Sequence, residues 1–206
     1  MHRKSIILNC LSVLSIVALL AGCAGMTVKP TQQNFKAPVV TLDSLEVAHY
    51  WGWWYFKKTI KPTMGTAGDY GAPLDVAFIF NVQNSNPYPV MLEEFKFTVA
   101  FEEFDLNTVS STETMWIPAN KTNQLRVHAM FDGRQSLLSL LVTGGFELEQ
   151  KVGKAGVGEA LKQLEKWWKG IPKYSVPIHV KGGAAVFKAD GLTEVATFKA
   201  TFPDSE

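Results

Sequence analysis

The chain has 206 residues, 47% of them hydrophobic and 19% charged, which is a globular rather than a disordered composition. A formal net charge of +1 without basic clusters argues against a nucleic-acid partner, which requires an electrostatic footprint. Only the N-terminal apolar run is long, and it falls short of the roughly 20 residues that span a bilayer, so a multi-span membrane protein is excluded.

In chain order, His2, Arg3 and Lys4 make a basic start and residues 6–20 an apolar run, with Leu20-Ala21-Gly22-Cys23 after it. Basic, apolar and small-residue regions in that order are a secretory signal peptide. Leu20-Ala21-Gly22-Cys23 resembles the lipobox of bacterial lipoproteins. The resemblance implies cleavage before Cys23, a diacylglycerol on its sulfur and acylation (palmitate) of the new amino terminus. Several acyl chains are needed for stable anchoring, at about 0.8 kcal/mol per buried methylene. Ala24, in place of the aspartate that retains lipoproteins in the inner membrane, implies the outer membrane. Without Arg3 and Lys4, the 20 basic residues become 18 against 19 acidic, so the mature chain is near neutral. Cys10 leaves with the signal peptide, and Cys23 alone cannot form an intramolecular disulfide. Residues 23–38, with Gly25, Pro30, Gln32, Gln33 and Asn34, read as a lipidated N-terminus and flexible tether.

From residue 39 to 203 the main signal is period two, and it predicts one β domain. Leu74, Val76, Phe78, Phe80 and Val82 share one strand face. A turn follows at Asn84-Ser85-Asn86-Pro87-Tyr88-Pro89, where asparagines complete backbone hydrogen bonds and prolines cannot join a ladder. Phe95, Phe97, Val99 and Phe101 form the next face, and Leu125, Val127, Ala129 and Phe131 a third. Two late runs are Tyr174-Val176-Ile178-Val180 and Ala196-Phe198-Ala200-Phe202. Between them and the third run lie two helices. The first is capped by Asp132, with Gln135 as the partner of a capping box, and stopped by Gly144-Gly145. The second carries Val157, Ala160, Leu161, Leu164 and Trp168 on one stripe and ends at Gly170 and Pro172. The expected fold is a mainly β, single antiparallel β-sandwich with one or two helices inserted before the last strands.

The order of these pieces resembles the LEA-14 or WHy (water stress and hypersensitive response) domain, through the Asn-Pro-Tyr-Pro turn after a hydrophobic strand and Tyr174-Ser175-Val176-Pro177-Ile178 after a helix. The resemblance implies a fibronectin-III-like sandwich, a role in desiccation and other stresses, and no catalytic residues. Bacterial members are often lipoproteins, in keeping with Cys23. Two segments depart from it: the aromatic block at residues 49–56 and a loop-like stretch at residues 57–73 containing Gly65, Gly68 and Gly71.

The aromatic block admits two readings. Alternate aromatics can enter the core, or Trp51, Trp53, Trp54 and Tyr55, with Trp167 from the second helix, can form a surface for glycan, peptidoglycan or lipid headgroups. Core packing is the first reading for both segments. His49, His128 and His179 lack metal spacing, so neither a metal nor a cofactor is expected beyond the lipid on Cys23. Nucleophile elbows, phosphate loops and dinucleotide fingerprints are absent. Glu93-Glu94 and Glu102-Glu103, as neighbours on strands, would point to opposite faces. Asn120-Lys121-Thr122 matches a glycosylation sequon and reads as a turn. The expected function is that of a membrane-anchored, non-catalytic lipoprotein, protective under desiccation or scaffolding envelope proteins by contact. The alternative is a ligand- or partner-binding assembly module that uses residues 49–56, its partner an envelope protein or peptide. The oligomeric state has no sequence signature.

Overall fold

A computed structural model describes residues 28–53, 72–142, 144–153 and 156–203. Strand β1 (Val39–Tyr50) pairs antiparallel with β2 (Leu74–Gln83), which pairs with β6 (Thr122–Phe131). The second sheet has the order β4 (Phe104–Ser111), β3 (Val90–Phe101), β7 (Ile178–Ala189), β8 (Leu192–Phe202), with short β5 (Met115–Ile117) also on β3. Helices α1 (Gly133–Val142), α2 (Gly145–Val152) and α3 (Val157–Gly170) come between β6 and β7, and a 3-10 turn (Ile171–Lys173) follows α3. The mainly β antiparallel sandwich with helices before the last strands is thus the observed fold.

The alternation in β2, β3 and β6 positions the core as the period requires. Phe78 and Phe80 from the first sheet meet Phe95 and Phe97 from the second, with ring centroids 4.9–5.3 Å apart for the closest contacts between the sheets. Edge-to-face pairs of this kind add about 1 kcal/mol each to the area they bury. Phe198 of β8 stacks on Phe95 at 4.8 Å, and it lies across Gly183 of β7. A methyl group there would sit 2.4 Å from the Phe198 ring, so only glycine admits the aromatic at this crossing.

Asp132 caps α1 as expected, its Oδ1 accepting from the backbone N–H groups of Arg134 (2.8 Å) and Gln135 (3.3 Å). Three expectations change. The chain does not remain a loop after Gly144 but restarts as α2, so the insertion has three helices. The last-but-one strand begins at Ile178 and not at Tyr174, because Tyr174 adopts a left-handed conformation (φ 54°) and its N–H closes the 3-10 turn on Ile171 O. Finally, the tether does not run to Pro38. Phe35 is buried at 5% exposure, and the turn at Thr31–Asn34 already belongs to the domain. Residues 57–71 of the predicted loop, and Cys23, lie outside the described residues.

Candidate functional site

The two ends of the sandwich carry different polar networks. At one end, beyond the last residues of β2, Asn84 is buried and its Nδ2 donates to the carbonyls of Tyr88 (2.9 Å), Ile117 (3.1 Å) and Pro118 (3.1 Å). Its Oδ1 accepts from the backbone and side-chain N–H of Asn86, each at 2.9 Å. Asn86 then clasps the backbone of Lys36, donating to its carbonyl (2.7 Å) and accepting from its N–H (3.0 Å). Tyr88 donates its hydroxyl proton to Asn34 Oδ1 at 2.8 Å, and its ring packs against Phe35. Burial raises the pKa of that hydroxyl. Pro87 and Pro89 bracket Tyr88 in the turn. This amide hub joins the N-terminal segment, the β2–β3 turn and the β5–β6 turn, a structural task for the Asn-Pro motif.

At the opposite end the β3–β4 turn meets the helices. Glu102 occupies the left-handed region (φ 54°), and its N–H donates to Pro177 O at 2.8 Å. Its carboxylate, 11% exposed, accepts from Lys151 Nζ (2.7 Å), Gln163 Nε2 (2.7 Å) and Lys166 Nζ. Burial pushes the Glu102 pKa up, but the hydrogen bonds and charges of Lys151 and Lys166 prevail and hold it at about 2. Burial likewise works against charge on Lys151, and Glu102 and Glu103 together raise its pKa. Glu103 reaches the same Lys151 Nζ at 2.8 Å. The expectation that these two glutamates diverge is corrected: they occupy a two-residue turn between Phe101 and Phe104, where strand alternation does not apply.

This turn borders a groove of about 840 Å³ whose other walls include Tyr174, Pro177, His179, Lys181, Thr201 and Pro203. His179 Nδ1 lies 2.9 Å from Thr201 Oγ1, its register partner across β7 and β8. Lys181 Nζ pairs with Asp105 at 2.7 Å. The carboxylates here are engaged by lysines and the imidazole by a hydroxyl, so the wall offers hydrogen-bonding pairs. Among the described residues no cluster of three His, Cys, Asp or Glu side chains is arranged to hold a metal.

The aromatic candidates separate. Trp51 is 45% exposed, and its Nε1 donates to His49 Nε2. Trp53 is buried at 7% and Trp167 at 0%, so neither contributes to a surface. Trp167 is held edge-on by Phe101 (5.5 Å) and Phe104 (5.4 Å), beside Glu102. Trp168 is also buried, donating Nε1–H to Ala72 O at 2.9 Å. Trp54 and Tyr55 lie outside the described residues. The groove was not legible from these aromatics. Its one sequence signal is the Glu102-Glu103 pair bounded by Phe101 and Phe104.

No protein-family model matches the sequence, and no curated protein matches it significantly. Among solved structures, an X-ray structure of a Northeast Structural Genomics Consortium target is similar at 10% identity, covering 81% of this chain and 88% of that one (TM-score 0.41). A crystal structure of a protein from Archaeoglobus fulgidus is 10% identical over 78% of this chain and 94% of its own (TM-score 0.40). A solution structure of an Arabidopsis thaliana protein is 10% identical over 85% and 93% (TM-score 0.36).

Proposed function

We propose that the chain is a non-catalytic envelope lipoprotein of the LEA-14 or WHy kind, anchored through Cys23, that protects or scaffolds other envelope molecules by contact. The observation that supports this reading is the two-ended layout. The N-terminal segment is fastened to the amide hub, with Asn34 Nδ2 donating to Lys29 O at 3.0 Å. Lys29 lies six positions after Cys23, a reach of at most about 22 Å. Strand β2 alone, ten residues, runs about 33 Å from the hub to the helical end. An anchor at Cys23 therefore keeps the hub near the membrane and presents the helices and groove away from it. Outer-membrane placement follows from Ala24 as the residue after the lipidated cysteine.

Fractionation of cells expressing the full chain and Cys23→Ala tests the anchor. The wild type sediments with membranes and the variant is released; a variant that still sediments overturns the anchored reading. A second reading, an assembly module working through residues 49–56, is favoured by the exposure of Tyr50 and Trp51. In that case Trp51→Ala loses partner capture by crosslinking while the fold persists.

A further inference from the structure

Among the described residues, four other than glycine have positive φ: Glu102, Asn120, Tyr174 and Asp190. Asn and Asp tolerate this region because their short side chains bond locally, whereas Glu and Tyr have no such compensation. Glu102 and Tyr174 both line the same groove. Two costly backbone conformations converging on one concavity is the pattern expected of a binding site held in shape. The Tyr174 ring, 43% exposed, is fixed edge-to-face on Phe202 at 5.4 Å, and its hydroxyl reaches toward Leu45 O at 3.4 Å.

The groove continues into a second concavity of about 450 Å³ that shares His179, Lys181 and Thr201 and adds Gly182 and Lys199. The result is an elongated track over the outward side chains of β7 and β8. Over most of this floor the main-chain groups of β7 and β8 pair with each other, so an extended peptide would find strand pairing only beside it, at the outer edge of β8. In the first part the charges are matched, Lys151 with two glutamates and Lys181 with Asp105. A free anion would face Glu103 and a free cation would face Lys151. What fits is a neutral polyhydroxylated ring whose apolar face lies on Tyr174 and whose hydroxyls meet the paired donors and acceptors. In the second part Lys181 is already paired with Asp105, Lys199 is exposed, and no carboxylate is among the lining residues. A negative substituent is favoured at that end.

The geometry points to a binding site for a linear acidic glycan, its neutral sugar on Tyr174 and its carboxylate at Lys199. This assignment goes beyond the contact function proposed above and does not depend on the lipid, so failure of either leaves the other standing.

Saturation-transfer NMR and calorimetry on the full chain, in a detergent without a sugar headgroup, test it with three probes. These are a neutral chitin tetrasaccharide, a hyaluronan tetrasaccharide with alternating glucuronates, and an oligoglutamate. The acidic glycan should bind at least about tenfold more tightly than the other two, and its advantage over the neutral one should shrink in high salt. Tyr174→Gly, which relaxes the backbone, should lose both glycans, and Lys199→Gln should lose only the preference for the acidic one. Binding of neither glycan, equal binding of both, an oligoglutamate that binds as well as the acidic glycan, or a Lys199→Gln variant that keeps the preference would each overturn the assignment.

Discussion

Asn84 and Glu102 are both nearly buried polar side chains holding three segments together, yet one does so with a neutral amide and the other with charge. The amide hub has donors matched to backbone carbonyls and an acceptor matched to N–H groups, and the Tyr88 hydroxyl beside them, its pKa raised by burial, stays neutral from acid to neutral pH. The Glu102 cluster depends on ionised partners, with Lys151 and Lys166 partly open to solvent at 31% and 53% exposure. The same architectural task is therefore done at the N-terminal end by a network indifferent to pH and salt, and at the helical end by one sensitive to both.

The largest expected effect breaks the first half of the comparison. Asn84→Ala leaves three carbonyls and the Asn86 N–H groups without their partner, and should cost about 3 kcal/mol. The loss should read as a fall in the urea midpoint and should be the same at low and high salt. Asn84→Asp is nearly isosteric but turns the donor toward those carbonyls into an acceptor, so it should not rescue.

Glu102→Gln comes next. It keeps an acceptor and removes the charge that Lys151 and Lys166 face, and should cost about 1–2 kcal/mol at neutral pH once solvent screening is allowed for. Thermal unfolding should show this difference narrowing in high salt. The pH dependence sharpens it further. The Glu102 pKa is depressed from 4.5 to about 2 on folding. The unfolded state therefore binds the proton more readily, and stability from this group is complete above 4.5 and drains away as pH falls toward 2. Acid titration of Glu102→Gln should lack that part of the slope.

Smallest is Lys166→Gln, which removes one half-exposed cation from a carboxylate that keeps Lys151 and Gln163. The expected cost is about 0.5 kcal/mol, read as a shift in melting temperature of a few degrees at most.

Much of the hub end was legible in the sequence, because its elements are local. The Asn-Pro turn bends by its own chemistry, and the alternating runs flanking it need only period two to be recognised. Asp132 as a helix cap is local in the same sense. The helical end was not legible, since its character comes from residues far apart in the chain. Glu102 and Lys151 meet only because β3 turns back at residues 102–103 while α2 packs beside it, and the sequence there looks like a continuing strand. Helix α2 starts at the second residue of a Gly-Gly pair that reads as a stop, and its short stripe is buried mainly through Leu148. Strand β4 is mostly polar, so its pairing to β3 and not its pattern defines it. Core packing is the first sequence reading for Trp167 as well, but its ring partners were not legible, because Phe101 and Phe104 lie on β3 and β4, far from it in the chain.

Urea denaturation of the wild type, Asn84→Ala and Glu102→Gln at pH 7 and again at about pH 3 puts the contrast between the two ends to its most direct test. The penalty for losing Asn84 should be unchanged between the two conditions, while the penalty for losing the Glu102 charge should shrink in acid. Parallel behaviour of the two variants across that range would contradict the account.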